Sequence, residues 1–338
     1  MKILGIETSC DDTCVAIYDS KNDLLICNYK YNQHSLHMRY KGIVPELAAC
    51  QHLSIIDKII NIILSQSNLS IYSINAISYT AGPGMVSSLF IGAAVAVSLA
   101  FILNIPIIKV HHMEAHLLSP FIEKSLNIPR MNFLGLLISG GHTQLIQAKN
   151  LGNYKILGTT LDDSIGDVLD KIANLLNLDY PGGSKISVFS KKGNIGKFHF
   201  PRPMMHNSSF NFSFSGLKTC VSKFIKKYNN NLQSLCDIAK EFENAIFDSV
   251  ILKCIKAIKY TGYKKIVVSG GVSANIFFRE KMILIMNKYN CKVFFPEIKY
   301  CTDNAAMIAY MGYLRFKNNK QYNIIVKPKW SLEQLQEF

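Results

Sequence analysis

An internal repeat constrains the fold more than any other feature of the chain. Residues 3–17, "ILGIETSCDDTCVAI", lie without a gap over residues 133–147, "FLGLLISGGHTQLIQ", at a constant offset of 130. Leu4 falls on Leu134, Gly5 on Gly135, Ser9 on Ser139 and Thr13 on Thr143. Each stretch runs from an apolar strand through a small polar turn into a second strand, the pattern of a β-hairpin. A second pair follows the same logic. "INAISYTAGPG" (74–84) and "KKIVVSGGVSAN" (264–275) are each a strand ending in a glycine turn that opens a helical run. The period is too long for a solenoid, so it marks duplicated lobes.

Turns rich in Ser, Gly and acids suit phosphate, because backbone N–H groups converge where no side chain blocks approach. Four such turns in two equivalent pairs resemble the actin, sugar kinase and Hsp70 (ASKHA) superfold. The expected fold is therefore α/β, with a nucleotide cleft between duplicated lobes. Residues 1–129 plus 297–338 would form the first lobe, with a metal-binding helix, and 130–296 the second. Helical periodicity covers 44–66, 163–176, 215–228, 234–259, 273–289 and 303–316. The segment 181–214 carries Gly182, Gly183, Gly193, Gly196, Pro201 and Pro203 and reads as a long irregular insertion. "VKPKWSLEQL" reads as an ordered tail ending in a short helix.

The uncharged run from Met85 to Ile108 is long enough to cross a bilayer. It follows the turn "TAGPG" and breaks at Pro106, so a buried helix and no membrane are expected. The start, "MKILGIETSC", enters strand-like sequence without a signal peptide's h-region or an Arg-rich transit segment. Nine cysteines without a C-x-x-C pair fit reduced thiols, and a cytoplasmic location is expected. The net charge of +14 points to a polyanionic partner, nucleic acid first. Only five of the 37 basic residues are arginine, however, and lysine-rich composition is also what an AT-rich genome yields.

"HHMEAH" (111–116) sets His112 and His116 one helical turn apart, on a shared face that could grip a metal ion. Glu114 lies about 200° from His112 on a helix, away from that face. The zinc-protease signature H-E-x-x-H places its acid differently.

"GIETSCDDT", "VPELA", "TAGPG", "VHHMEAH", "LISGGHTQL", "DYPGG", "FPRPM", "FSFSGLKT", "GGVSAN" and "CTDNAAMIA" resemble, in order and spacing, the TsaD family. These are tRNA adenosine threonylcarbamoyltransferases, once described as glycoproteases, and the likeness runs from Lys2 to about Trp330 toward the bacterial branch. The resemblance implies transfer of threonylcarbamoyl from threonylcarbamoyl-AMP to the exocyclic amine of the adenosine 3′ of the anticodon. The tRNAs concerned read codons beginning with A, and AMP leaves.

It also implies one divalent metal ion, iron(II) first and zinc second, held by His112, His116 and Asp303. From its residues alone Asp303 is equally a helix N-cap. Leu137, Ile138, Ser139, Gly140 and Gly141 would approach phosphate and threonylcarbamoyl, and Asp170, Gly183 and Asn275 the ribose and adenine. Alone, Asp170 reads as a solvated helical charge and Asn275 as another cap. Asp11 and Asp12 are candidates for proton handling or amine orientation, and Lys218 and Arg202 for tRNA phosphate contacts. Partners implied are tRNA, TsaB-like and TsaE-like proteins, the latter using ATP, and a TsaC-type enzyme supplying the intermediate.

Three departures stand out: D-D-T where D-E-T is usual, Cys50 where an Arg is usual, and "GGSKISVFS" after the tyrosine–proline pair. Two further readings remain open at this point, a metallopeptidase and a non-catalytic lobe-fold partner of a modifying complex.

Overall fold

The computed structural model describes residues 1–336 apart from Lys41, residues 124–131, Tyr180, His206, Asn319 and the side chain of Arg39. The expected lobe boundary at 129/130 and the tyrosine of "DYPGG" lie outside the described residues. The chain divides into two compact units, residues 1–128 with 302–338 and residues 129–301. Residues 297–301, expected with the first lobe, belong to the second unit. There Arg279 donates to Cys301 Sγ (3.2 Å) and Ser273 Oγ to the same sulfur (3.4 Å), ties that no local pattern announces.

Unit 1 begins with strands β1 (Lys2–Glu7), β2 (Asp12–Asp19) and β3 (Leu24–Asn32), followed by a single turn of helix α1 (His34–His37). Helix α2 (Pro45–Gln66) starts with Pro at its first position and Glu46 in its first turn, both favoured at a helix N-terminus. Its Ile56, Ile59, Ile60 and Ile63 repeat at helical spacing and enter the core. Strand β4 (Ala76–Gly82), helix α3 (Val86–Leu103), strand β5 (Ile107–His111) and helix α4 (His112–Leu118) complete this stretch. The sheet order is β3-β2-β1-β4-β5, with β1, β4 and β5 parallel and the hairpin antiparallel. Burying each of the core isoleucines contributes about 1.5–3 kcal/mol relative to exposure.

Unit 2 repeats the plan. Strands β6 (Phe133–Ile138), β7 (Thr143–Asn150) and β8 (Asn153–Thr159) lead to helices α5 (Ile165–Leu175), α6 (Gly182–Ser190), α7 (Ser215–Lys227) and α8 (Leu232–Thr261). Strand β9 (Lys265–Ser269), helix α9 (Ile276–Asn287) and strand β10 (Lys292–Phe294) follow. The order β10-β9-β6-β7-β8 matches unit 1 strand for strand. Register matches too: Gly5 opposes Ala16, and Gly135 opposes Ile146 at the same offset of 130. The chain then returns to unit 1 as helix α10 (Ala305–Leu314), and the tail ends in a short 3-10 helix, Leu332–Gln334.

Two expectations need correction. The segment 181–214 is not irregular throughout, because α6 occupies Gly182–Ser190. A Cβ on Gly182 would sit 2.7 Å from the Asp170 Cα, so this glycine lets α6 approach α5 rather than breaking the helix. Helix α3 is apolar all round yet buried on one side only, with Phe101 66% and Ile102 74% exposed. Hydropathy alone does not say which face is covered. By length and composition α2 and α3 could each cross a membrane, and both contribute one face to the core of unit 1. All-round burial belongs to α4, every residue of which is buried, and to α10 from Ala305 to Gly312.

Candidate metal centre and nucleotide-binding turns

Helix α4 is short and needs outside support. The His111 side chain caps it, with Nδ1 accepting from the N–H of Met113 (3.2 Å) and Glu114 (3.4 Å) while Nε2 donates to the Trp330 carbonyl (3.1 Å). Burial pushes the His111 pKa down to about 3, so the ring stays neutral and able to accept. The cap aims His112 and His116 from one face, their ring centroids 4.7 Å apart.

Asp303 arrives from the turn before α10. That helix is capped by Asn304, whose Oδ1 accepts from Met307 N (2.9 Å), so the cap role open to Asp303 is filled by its neighbour. Asp303 Oδ1 lies 2.9 Å from His116 Nε2 and 3.5 Å from His112 Nε2. The three donor atoms lie within 4.8 Å of one another. Bonds of about 2.0–2.2 Å put neighbouring ligands of one ion roughly 3.0–3.5 Å apart. The two carboxylate–imidazole separations lie close to that range, and two imidazoles with one carboxylate are a donor set that takes a divalent metal with coordination positions left open.

Glu7 is a member of this cluster that sequence reasoning missed. It is fully buried, and its Oε2 lies 3.1 Å from His112 Nδ1 and accepts from Thr80 Oγ1. Its Oε1 accepts from Ser9 N (2.6 Å). A carboxylate on Nδ1 fixes the tautomer and leaves Nε2 to face a metal. Burial alone would raise the Glu7 pKa, but His112 outweighs it and the carboxyl is held below its usual range. Burial likewise opposes charge on His112, yet Glu7 and Asp303 push its pKa up to about 9. Asp303 is held well below the carboxylate range, burial being outweighed by His112 and His116. The signal available for Glu7 was an acid inside an otherwise apolar strand.

Asp11 is half-buried in the turn after Glu7. Asp12 opens β2 and is tethered, with Lys30 Nζ at 2.5 Å from one oxygen and Asn32 Nδ2 donating to the other at 2.7 Å. Burial, only partly offset by Lys30, raises its pKa to about 6. Lys30 also donates to the Asp303 carbonyl (3.2 Å), linking the acidic turn to the histidine cluster. His52, from the motif that carries Cys50, anchors the turn from α2. Its Nδ1 meets Thr13 Oγ1 (2.7 Å) and its Nε2 the Cys10 carbonyl (2.9 Å). Glu114 points away, as its spacing predicts, and makes a two-pronged pair with Arg315: Nε to Oε2 at 2.6 Å and Nη2 to Oε1 at 2.8 Å.

In unit 2 Leu137 and Ile138 end β6 with buried side chains, and Ser139–Gly141 form the turn. Ser139 N donates to the His142 carbonyl (2.8 Å), and Ser164, the N-cap of α5, donates its hydroxyl to the Gly140 carbonyl. Gly270 (φ +94°) comes so close that a Cβ there would lie 2.3 Å from the Ile138 oxygen, which only glycine allows. A Cβ on Gly140 or Gly141 would meet nothing within 4 Å. The turn is open above and held from below.

Asp170, further along α5, accepts from Gly182 N (2.8 Å), which brings it beside Gly183. Burial raises its pKa, so it is no plain solvated charge. Asp170 and Gly182 line a cavity of about 540 Å³ with Lys171, Leu178, Asp179 and Lys218. Asn275 caps α9 through Phe278 N (2.8 Å), and its amide donates to buried Glu243 (2.9 Å). The two basic residues suggested for tRNA are paired, Lys218 with Asp163 and Arg202 with Asp248 (2.7 Å).

A family model described as "TsaD: tRNA N6-adenosine threonylcarbamoyltransferase" matches residues 25–310. Two curated relatives carry that same name. One, from Buchnera aphidicola subsp. Baizongia pistaciae, is 52% identical over 336 residues, covering 98% of each chain; one from Wigglesworthia glossinidia brevipalpis is 48% identical over 338, covering 99% of this chain and 98% of the other. The chain belongs to the TsaD family. As a TsaD-family protein it is a transferase of tRNA modification. Solved structures support the fold. HypF from T. kodakarensis matches at TM-score 0.60 and 17% identity, over 92% of this chain and 46% of that one. Component A of (R)-2-hydroxyglutaryl-CoA dehydratase from Acidaminococcus fermentans matches at 0.54 and 13%, over 93% and 98%.

Proposed function

We propose that this chain takes threonylcarbamoyl-AMP as donor and the adenosine 3′ of the anticodon, in tRNAs reading codons that begin with A, as acceptor. The exocyclic nitrogen attacks the carbamoyl carbon, a C–N bond forms, and the bond from that carbon to the phosphate oxygen breaks. AMP leaves and the nitrogen gives up a proton. The donor is an activated anhydride, so positioning and charge stabilisation supply most of the catalysis. The observation that supports this reading best is the cluster of His112, His116 and Asp303, with Glu7 behind His112.

The cluster would hold iron(II) or zinc, which when bound supplies Lewis acidity and an anchor for substrate oxygens. The open turn at Ser139–Gly141 offers backbone N–H groups to an anionic group. Asp170, Gly183 and Asn275 would hold the nucleoside. Asp12, with its pKa near 6 and its carboxylate fixed by Lys30, suits orientation of the amine or uptake of its proton, with Asp11 beside it. A peptidase would need a free acid at the metal, and Glu114 is engaged by Arg315. TsaB-like and TsaE-like proteins are the proposed partners, with ATP used by the latter and a TsaC-type enzyme making the donor. Exposed Leu53, Phe90, Phe101 and Ile102 are the kind of apolar surface a protein partner covers.

The test is nucleoside mass spectrometry of a tRNA transcript incubated with the chain, threonylcarbamoyl-AMP and those partners, with metal content measured on the same samples. His112→Ala, His116→Ala and Asp303→Ala should each lose metal and at least about 100-fold of transfer. No threonylcarbamoyladenosine from the wild type would end the proposal. Full transfer by a metal-free variant would remove the metal from it.

A further inference from the structure

The two units share a topology and differ in charge. Unit 1 holds 13 Lys and Arg against 12 Asp and Glu, a net +1; unit 2 holds 24 against 11, a net +13. Genomic bias toward lysine would load both units alike. The excess is confined to one, so it marks a surface of that unit.

Part of that surface can be assembled from named contacts. Helix α7 buries Leu217, Val221 and Ile225 and exposes Lys223, Lys226 and Lys227 at spacings of three and four. The segment after α6 lays Lys191, Lys192 and Lys197, all exposed, against the same region. Its Phe198 packs edge-on against Phe224 and Tyr228, with centroids 5.7 and 5.4 Å apart, and Phe200 against Phe224 at 5.4 Å. Gln233 donates to the Lys192 carbonyl (3.1 Å).

The nearby acids are turned inward onto backbone. Asp237, 1% exposed, accepts from Asn194 N (2.7 Å), and Glu241 accepts from Gly196 N. Lys197 reaches Asp237 at 3.2 Å, and the Lys227 ammonium lies 5.4 Å from the Tyr228 ring centroid. Among the described residues Lys191, Lys192, Lys223 and Lys226 pair with no carboxylate.

We propose that this face of unit 2, built from α7 and residues 191–197, is where RNA phosphates land, a proposal that rests on the tRNA reading above. Lysines without an arginine among them act as point charges, which grip phosphates and do not read bases. An acidic protein is the competing occupant, and the composition disfavours it, because lysine is depleted from protein–protein interface cores. Phosphate binding instead gains from counterion release at solvated lysines.

The experiment measures binding of the full chain to an unmodified transcript of a tRNA reading a codon that begins with A, across a salt series. The variant Lys191→Glu/Lys223→Glu/Lys227→Glu is compared with Lys21→Glu/Lys58→Glu/Lys317→Glu, which makes the same charge change on exposed sites of unit 1. Each lost phosphate contact should remove about 0.7–0.9 from the log–log salt slope, so the first variant should lose roughly 2–3 and bind at least about tenfold more weakly near 0.15 M salt. The control should keep the wild-type slope. The corresponding Lys→Gln variant should lose the same slope without charge reversal, and thermal unfolding checks that all remain folded. Equal losses in both triple variants, or wild-type binding by the first, would overturn the surface. So would a first variant that holds tRNA normally and loses only a protein partner. Failure of the transferase reading looks different, with wild-type tRNA binding and no threonylcarbamoyladenosine formed.

Discussion

Where unit 1 places Glu7, Asp11 and Asp12, unit 2 places Leu137, Gly141 and His142, although the two hairpins pair residue for residue at one offset. The first strand of each hairpin keeps its near-continuous apolar run, because it is buried on both faces. The turns are free of that demand and have diverged. Unit 1 has an acidic turn tied to histidines through Glu7 and Lys30; unit 2 has a bare glycine turn with open space above it. Unit 1 also carries helix α4 after β5, where unit 2 has only a three-residue turn, Ile298–Tyr300, after β10. Duplication thus set the topology, and side chains at the strand ends set the chemistry.

Helix α4 is where the comparison breaks furthest, and its Glu114 gives the largest expected effect. Glu114 is fully buried and paired twice with Arg315, and removing one partner of a buried pair costs about 3–5 kcal/mol. Glu114→Gln should therefore lower the unfolding free energy in urea by about 3 kcal/mol. Metal content and transfer per folded molecule should stay near wild type. A stable but inactive variant would place Glu114 in the chemistry and contradict its outward direction.

Glu7 against Leu137 sharpens the same contrast at a smaller scale. Loss of a carboxylate behind a ligating histidine typically weakens metal binding by about 10–100-fold. Glu7→Gln keeps the shape and can still meet His112 Nδ1, but it removes the charge. Competition with a chelator should show that range for iron(II) or zinc while the fold survives. Unchanged affinity would mean that Ser9 Oγ, 3.3 Å from the same nitrogen, suffices to orient the ring.

Much of this was legible in the sequence because strand and helix periodicities are local. The hairpins, the glycine-ended strands and all six helical runs appear within a few residues of their expected places. His112 and His116 were legible as one face of a helix, since spacing alone fixes that. What escaped depended on distant partners. Asp303 and Asn304 are both good caps, and only the backbone shows that Asn304 takes the role. Glycines at 182 and 183 looked like breakers, when Gly182 serves the contact of α6 with α5. Glu7 reads as one more strand residue until His112, 105 positions away, is brought to it. The exposed side of α3 is invisible to hydropathy, which counts apolar residues and not what covers them.

The smallest expected effect concerns Gly141, the counterpart of Asp11. Its backbone lies outside the left-handed region, and a Cβ would meet no atom within 4 Å. Gly141→Ala should therefore leave stability within about 0.5 kcal/mol of wild type. If the turn binds an anionic part of the donor through its N–H groups, the added methyl sits where that group must approach. A loss of about tenfold in kcat/KM for threonylcarbamoyl-AMP is then expected, equivalent to about 1.4 kcal/mol. Gly141→Asp, which writes the acid of unit 1 into unit 2, adds like-charge repulsion and should lose more than Gly141→Ala at equal stability. The ranking Gly, Ala, Asp separates an anion-binding turn from a merely tight one. Wild-type kinetics in the Asp variant would show that the glycine turn takes no anionic group and that its difference from the acidic turn carries no chemistry.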